Sequence, residues 1–166
     1  MGDANPRYCH VCGTRLVMRD QREDGQEPWC PVCGAWRYPR FSCAVSVIVY
    51  HPDGRRVLVI DQYGKRGILV AGYVARGEDL VSTVVREVRE ETGLAVCDVR
   101  FNASEFYEPS DTLMVNFTCR ATLDELRLNP GEVDTARWVA VDEVVDAMRP
   151  GSLAQRFVRL HLGVGE

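Results

Sequence analysis

The sequence lacks several features that mark whole classes of protein. No apolar stretch approaches the ~18 residues that a membrane-spanning helix needs, and the start, MGDANPRYCH, has no apolar core of a secretory signal. The 20 Lys and Arg are outnumbered by 24 Asp and Glu, which gives a net charge of −4. Dedicated nucleic-acid-binding proteins gain much of their affinity from basic side chains that neutralise phosphates. We therefore expect neither a membrane partner nor a dedicated nucleic-acid partner.

The composition is that of a folded protein with a small appendage. The chain has 166 residues, of which 46% are hydrophobic and 27% charged, so a largely disordered chain is excluded. Long apolar runs are missing from residues 1–40 and begin at Phe41. This change predicts a small N-terminal unit over residues 1–40 and a main domain over 41–166.

Four of the seven cysteines form two C-x-x-C pairs separated by seventeen residues, and a glycine follows each pair. This spacing is typical of a zinc ribbon, in which two knuckles complete a tetrahedral site. A full set of four thiolates leaves no open coordination position, so we predict a structural Zn²⁺, with redox-active pairs or unrelated thiols as the alternatives. The predicted ligands are Cys9, Cys12, Cys30 and Cys33, with Gly13 and Gly34 in the knuckles.

The other three thiols and the charges of the ribbon qualify this interpretation. Cys43, Cys97 and Cys119 stand apart, which suits the reducing cytoplasm. Zinc ribbons often bind nucleic acid, but here acidic and basic residues alternate, as on a solvated surface. The alternating residues are Arg15, Arg19, Asp20, Arg22, Glu23, Asp24 and Glu27.

The pattern of apolar residues after position 40 predicts a mixed order of strands and helices, of the α+β or α/β class. Asp79 and Ser152 are predicted helix N-caps, and Gly93 is placed to end a helix in the left-handed conformation. Strands are predicted over 41–50, 55–63, 67–74, 95–108, 112–123 and 136–141, and helices over 80–91, 141–148 and 152–162.

Three glutamates of the first predicted helix share one face. Glu87, Glu90 and Glu91 are spaced i, i+3 and i+4, and Arg86 alone cannot neutralise them. Clustered carboxylates suit Mg²⁺ or Mn²⁺ held together with substrate phosphates. A solvated acidic face with ion pairs explains the spacing equally well.

The string from residue 72 to residue 94 resembles the Nudix box, G-x5-E-x7-R-E-U-x-E-E-x-G-U, where U is a bulky aliphatic residue. The resemblance implies an α/β/α sandwich around a mixed sheet, and metal-dependent hydrolysis of nucleoside diphosphates linked to another moiety. The matching residues are Gly72, Glu78, Arg86, Glu87, Val88, Glu90, Glu91, Gly93 and Leu94.

A zinc ribbon joined to this box resembles the NADH pyrophosphatase branch of the family. SEFYEPSDTLMVNF at 104–117 is similar to that branch's downstream motif, although its glutamine and proline positions differ here. Pro109 lies fifteen residues past the box, a position that in Nudix enzymes suggests a preference for ADP-ribose.

The resemblance also implies roles for individual residues. Glu87 or Glu90 is the expected general base, Arg86 orients the carboxylates, and Glu78 braces the loop; Phe106 serves equally well as a core residue. The implied ligands of Mg²⁺ or Mn²⁺ are the Ala71 carbonyl, Glu87, Glu90, Glu91 and Glu132. The implied substrate-binding residues are Tyr73, Glu105, Phe106, Tyr107, Pro109, Thr112 and Ala154.

The expected function is hydrolysis of NAD(H)-like dinucleotides to NMN(H) and AMP by a cytoplasmic homodimer. An ADP-ribose or broader nucleoside-diphosphate hydrolase is the alternative enzyme, and the same chemistry would act on a dinucleotide cap at an RNA end. A regulator or RNA-binding module with a vestigial Nudix fold is the alternative outside enzymes, and the complete set of box acids argues against it.

Overall fold

A computed structural model describes residues 6–21 and 25–165, and divides the chain into two compact units that meet between Phe41 and Ser42. Arg22, Glu23 and Asp24 of the predicted mixed-charge surface lie outside the described residues. No helix within the described ranges is both long and apolar enough to cross a membrane.

The first unit is a small antiparallel sheet whose strands lie in the order β1-β2-β3. These are β1 (Val17–Asp20), β2 (Gln26–Cys30) and β3 (Ala35–Trp36). The Trp29 and Trp36 rings meet edge to face at 4.9 Å, and the Arg19 guanidinium lies 5.0 Å from the Trp29 ring centroid. Among the described residues of this unit only Cys9, Pro28 and Cys30 are buried, so its apolar core is very small.

The second unit is built on one seven-stranded mixed sheet. Its main path runs β10-β5-β4-β9-β8, with β6 beside β5, β7 beside β4, and β4 parallel to β9. All other pairs are antiparallel. The strands are β4 (Ser42–Tyr50), β5 (Arg56–Gln62), β6 (Lys65–Ile68), β7 (Val70–Tyr73), β8 (Val96–Tyr107), β9 (Thr112–Ala121) and β10 (Thr135–Ala140).

Helices cover both faces of this sheet. They are α1 (Leu80–Thr92), α2 (Val144–Ala147) and α3 (Leu153–Leu162). Alternate residues of β4 point to opposite faces, so Val47 packs with Val84 of α1 and Ile48 packs with Val158 of α3. The predicted α/β/α sandwich with a mixed sheet is confirmed.

Local signals fixed the ends of the helices. The Asp79 carboxylate accepts a hydrogen bond from the Ser82 amide at 2.9 Å, and Gly93 ends α1 with φ 75°. The Ser152 hydroxyl accepts from the Gln155 amide at 3.1 Å. All three predicted caps are confirmed.

Three predicted elements are wrong in extent. The single strand predicted over 67–74 is two strands, which separate at Leu69 because β6 pairs with β5 and β7 pairs with β4. The helix predicted over 141–148 is one turn, since the Val141 amide donates to the Arg55 carbonyl at 3.0 Å and extends the pairing that precedes it. The strand predicted over 112–123 ends at Ala121.

Gly67 joins β6 closely to the end of α2. Its φ is +64°, and a Cβ there would lie 2.4 Å from the Ala147 carbonyl oxygen. Gly54 has a similar φ of +70°, but a Cβ there meets no described atom within 4 Å. Alanine substitutions at the two glycines therefore separate the energetic cost of backbone strain from that of steric overlap.

We expect Gly54→Ala to lower the free energy of unfolding by about 1 kcal/mol, from the positive φ alone. Gly67→Ala should lower it by about 1–3 kcal/mol more, because a backbone carbonyl must move. Urea unfolding of both variants measures the difference, and equal losses would contradict the close contact.

Candidate functional site

The four predicted zinc ligands meet at one point in the first unit. One sulfur from each of Cys9, Cys12, Cys30 and Cys33 lies within 4.8 Å of the others. The closest pair is Cys12 and Cys33, whose sulfurs are 3.4 Å apart. The Gly13 amide donates to the Cys9 carbonyl at 2.8 Å, and this bond closes the first knuckle.

The electrostatics of this cluster favour a bound cation. Burial alone would raise the pKa of Cys9, but the hydrogen bond from Arg37 Nε (3.1 Å) and nearby backbone amides lower it to about 5. The hydrogen bond with Cys12 and burial raise the pKa of Cys33 to about 12. Without a cation the cluster therefore keeps at least one proton, whereas a metal would hold all four sulfurs as thiolates.

In the second unit, Arg86 on α1 connects three carboxylates. Its guanidinium donates to Glu78 through Nε (2.7 Å) and Nη2 (2.9 Å), and to Glu87 and Glu90 through Nη1 (2.7 and 3.0 Å). Nη2 also donates to the Tyr73 carbonyl at 3.2 Å. One side chain thus joins the end of β7, the loop after it and the helix.

Glu78 has the contacts of a bracing residue. Its Oε2 accepts from the Ala75 amide and from the Thr83 hydroxyl, both at 3.1 Å. These bonds, led by the one from Arg86, lower the pKa of Glu78 to about 2. The carboxylate is therefore charged at neutral pH and holds the loop against α1.

Glu91 is buried in a way that a carboxylate rarely tolerates. The residue is 3% exposed. Its Oε1 accepts from Gln62 Nε2 at 3.1 Å, while its Oε2 has no hydrogen-bond partner among the described residues. Burial, with added repulsion from Glu87 and Glu132, raises the pKa of Glu91 to about 7.

Gln62 was not predicted as a site residue. On β5 it follows Leu58 and Ile60 at the strand period of two, so it points to the α1 face. A polar residue ending an otherwise apolar alternation was the signal that could have identified it.

Glu87 lies directly against the backbone of β7. A Cβ on Gly72 would fall 1.9 Å from the Glu87 carboxyl carbon, so the glycine of the box leaves room for this carboxylate. Burial raises the pKa of Glu87, and the charges of Glu90 and Glu132 add to the rise. Ala71 precedes this glycine on β7, opposite Ser46 of β4.

The loop before β10 brings Glu132 to α1. The Asn129 amide donates to the Glu91 carbonyl at 3.2 Å, and the Glu132 amide donates back to the Asn129 carbonyl at 3.0 Å. Glu132 lies close enough for its charge to raise the pKa of both Glu87 and Glu91. Among the described residues, however, the four cysteines are the only group of three or more His, Cys, Asp or Glu side chains whose ligand atoms all lie within 4.8 Å of one another.

The predicted substrate residues fall into two groups. Tyr73 and Glu105 lie in one row across the sheet, through Ala44 and Met114, and by alternation their side chains share the face opposite α1. Glu105 is held there by Arg156 of α3, with Nε at 3.2 Å from Oε2.

The second group lies around the β8–β9 turn. Phe106 and Tyr107 are partly exposed at the end of β8, and Pro109 lies in the short 3-10 helix Glu108–Ser110. Thr112 is buried, and its hydroxyl donates to the Ser110 carbonyl at 2.8 Å, so it stabilises the turn. Ala154 lies in the first turn of α3 and packs on the adjoining core.

Comparison with known proteins identifies the family. The model of the NUDIX domain matches residues 41–159. The chain belongs to the Nudix family. The NUDIX hydrolase structure from Nitrosomonas europaea covers 93% of this chain and 89% of its own, with a TM-score of 0.68 and 19% identity, and it shares the fold.

Curated relatives are longer proteins. The Pseudomonas aeruginosa protein named NAD-capped RNA hydrolase NudC is 31% identical over 158 residues, which are 94% of this chain and 55% of the relative. The mouse mitochondrial protein named NAD(P)H pyrophosphatase NUDT13 is 35% identical over 139 residues, 78% of this chain and 38% of the relative. The chain thus spans about half the length of the first relative and less than half the length of the second.

The buried Glu91 carboxylate predicts an unusual dependence of stability on pH when no divalent metal is present. Its folded pKa of about 7 exceeds the unfolded value, so the folded state binds the extra proton. The contribution of Glu91 is therefore most favourable below the unfolded pKa and is lost as the pH rises towards and past 7.

Glu91→Gln, which is always neutral, should raise the free energy of unfolding at pH 8 by on the order of 2–3 kcal/mol, and by much less at pH 5. Urea unfolding of parent and variant at both pH values measures this difference. A variant that is less stable than the parent at pH 8 would mean that Glu91 serves a structural ion-pair network.

Proposed function

We propose that this chain hydrolyses the pyrophosphate bond of NAD(H)-like dinucleotides to NMN(H) and AMP, using Mg²⁺ or Mn²⁺. The observation that carries the proposal is the buried Glu91 carboxylate. Its Oε2 has no hydrogen-bond partner among the described residues, and the charges of Glu87 and Glu132 lie nearby. Three carboxylates in a partly dry site suit a hard divalent cation. Among the described residues, no cationic side chain pairs with Glu91 in the way that Arg86 pairs with Glu78.

The residues that would hold the cation come from three elements. Glu87 and Glu91 lie on α1, Glu132 comes from the loop before β10, and the Ala71 carbonyl comes from β7. Glu90 is more exposed and pairs with Arg86, so it would reach the cation or its hydration shell from the solvent side. A bound divalent cation would neutralise charge on the diphosphate and lower the pKa of an attacking water.

The side chains prepare the site for that chemistry. Arg86 fixes Glu87 and Glu90 by charge-assisted hydrogen bonds, so the carboxylates keep one geometry as substrate enters. Either glutamate would take the proton of the attacking water. Water adds to one phosphorus, the bridging P–O bond breaks, and the second phosphate leaves with the bridging oxygen.

Relatives named for NAD-capped RNA and for NAD(P)H support the NAD(H) half of the proposal. Tyr73 and Tyr107 are exposed aromatic rings that would stack on adenine or nicotinamide. Pro109 keeps ADP-ribose as a second candidate, since both molecules share the ADP half. A dinucleotide cap at an RNA end presents the same bond.

The family resemblance also supports proposals for the bound zinc, the oligomeric state and the compartment. We assign Zn²⁺ to the four-cysteine cluster as a structural ion, because soft thiolates in a closed set leave no position for water. We also infer a homodimer in the cytoplasm; Cys43, Cys97 and Cys119 are free thiols, as that compartment favours.

Purified protein should contain one zinc per chain. Cys30→Ser, at the buried ligand, should reduce that content and destabilise the first unit by several kcal/mol, since metal binding contributes folding free energy in such modules. Elemental analysis and thermal unfolding measure both effects. Cys97→Ser is the matched control, an exposed cysteine outside the cluster that should retain zinc and stability. Zinc-free parent protein of full stability would contradict the assignment.

Glu91→Gln should lower turnover of NADH by about 10²–10³-fold, the loss typical of a catalytic electrostatic group. Chromatography of the products from NADH, NAD, ADP-ribose and dinucleoside polyphosphates gives both the rate and the preferred substrate. The control is Glu143→Gln, an exposed glutamate that should keep the parental rate. Near-parental activity of the Glu91 variant would reject this assignment, and a parent inactive on all four substrates would favour a non-enzymatic module.

A further inference from the structure

A cleft lies on the face of the sheet opposite α1. It is a cavity of about 700 Å³ between the β5–β6 hairpin, β10 and the segment that follows α2. Its charged lining consists of four cations and one carboxylate, a net charge of +3 in a chain whose total is −4. These residues are Lys65, Arg66, Arg137, Arg149 and Asp61.

Backbone contacts connect the segments that form the floor of the cleft. The Arg149 amide donates to the Gly67 carbonyl at 3.0 Å, and the Gly67 amide donates to the Asp61 carboxylate at 2.9 Å. Gly67 is also packed so closely on Ala147 that a Cβ would overlap its carbonyl oxygen. These contacts tie together the backbone segments that carry Arg66 and Arg149.

The carboxylates at the cleft, Asp61 and Asp134, already accept hydrogen bonds from neighbouring groups. The Asp61 carboxylate accepts from Gly67, from the Thr135 hydroxyl at 3.0 Å and from Arg137 at 3.4 Å. Asp134, at the rim, accepts from the Gly64 amide at 3.1 Å.

Three of the four cations lack such partners. The side chains of Lys65, Arg66 and Arg149 form no ion pair or side-chain hydrogen bond with any described residue. Like charges gathered around one cavity repel one another unless an anion lies between them. The cleft thus offers at least three free cationic groups to a ligand.

The cleft is separate from the acidic site. Asp61 and Gln62 are neighbours on β5, but Asp61 faces the cleft whereas Gln62 donates to Glu91 on the α1 face. An anion in the cleft would therefore meet cationic side chains directly, whereas at the acidic site it would meet carboxylates unless a metal were bound.

We propose that this cleft is a second binding site for phosphoryl groups, independent of the hydrolytic site and of divalent metal. Its lining is cationic without an aromatic side chain, so it recognises phosphate charge and not a base. The phosphates come either from a small free anion such as pyrophosphate or from the backbone of a single-stranded nucleic acid.

The test measures binding of inorganic pyrophosphate to the full chain by calorimetry, with no divalent metal added. Arg66→Ala with Arg149→Ala should weaken binding about tenfold, as expected when two charge-assisted contacts are lost. Arg100→Ala with Arg127→Ala removes the same charge from exposed positions outside the cleft and should change it less than about twofold. Thermal unfolding confirms that both double variants are folded.

Amide chemical shifts locate the site, and pyrophosphate should move those of Lys65 and Gly67. The same titration with an eight-nucleotide single strand in place of pyrophosphate distinguishes the two sources. The probe that binds more tightly, and that loses affinity when Arg66 and Arg149 are replaced, represents the source of the phosphates. No binding at ~10 mM pyrophosphate, equal weakening in both double variants, or shifts confined to α1 would overturn the proposal. Because no turnover is measured, this outcome is independent of the hydrolytic activity.

Discussion

The guanidinium of Arg86 is the interaction on which the site depends. It joins the β7 end, the bracing Glu78 and two acids of α1, so one charged group connects the loop of the box to both the strand and the helix. The Arg86 pKa is raised, most of all by Glu78, which keeps the cation at every ordinary pH. Removing one partner from such a partly buried network leaves uncompensated charge and is more destabilising than exchanging the whole network.

Both candidate metal sites hold more negative charge than the protein itself neutralises. In the cysteine cluster the excess appears as the raised pKa of Cys33, and on α1 it appears as the raised pKa values of Glu87 and Glu91. The donor atoms differ in kind, since four soft sulfurs suit Zn²⁺ and carboxylate oxygens suit Mg²⁺ or Mn²⁺. The two sets also differ in the spacing of their donor atoms. The four sulfurs lie within 4.8 Å of one another, whereas the carboxylate oxygens of the described residues are more widely spaced.

Features set by short-range sequence signals were predictable, and features set by strand pairing were not. The caps at Asp79, Gly93 and Ser152 follow from residues within one helical turn. The break at Leu69 arises because β6 pairs with β5 whereas β7 pairs with β4, and no local sequence pattern indicates this pairing. The hydrogen bond from Gln62 to Glu91 spans 29 positions and exists only after the sheet has formed on α1. The box acids were found because the family motif names them, and their unequal burial was not predictable from spacing.

The alternation of β5 allows opposite charges to be concentrated in one small domain. Successive side chains point to opposite faces, so Gln62 supports an acidic site and Asp61 braces a cationic cleft one residue away. The apolar layer between them includes Val59 and Ile60, both fully buried. Direct contact between the two charge sets would form ion pairs and leave neither available to a ligand. Separation by the sheet prevents Glu91 on one face from pairing with Arg66 or Arg149 on the other, as both proposed sites require.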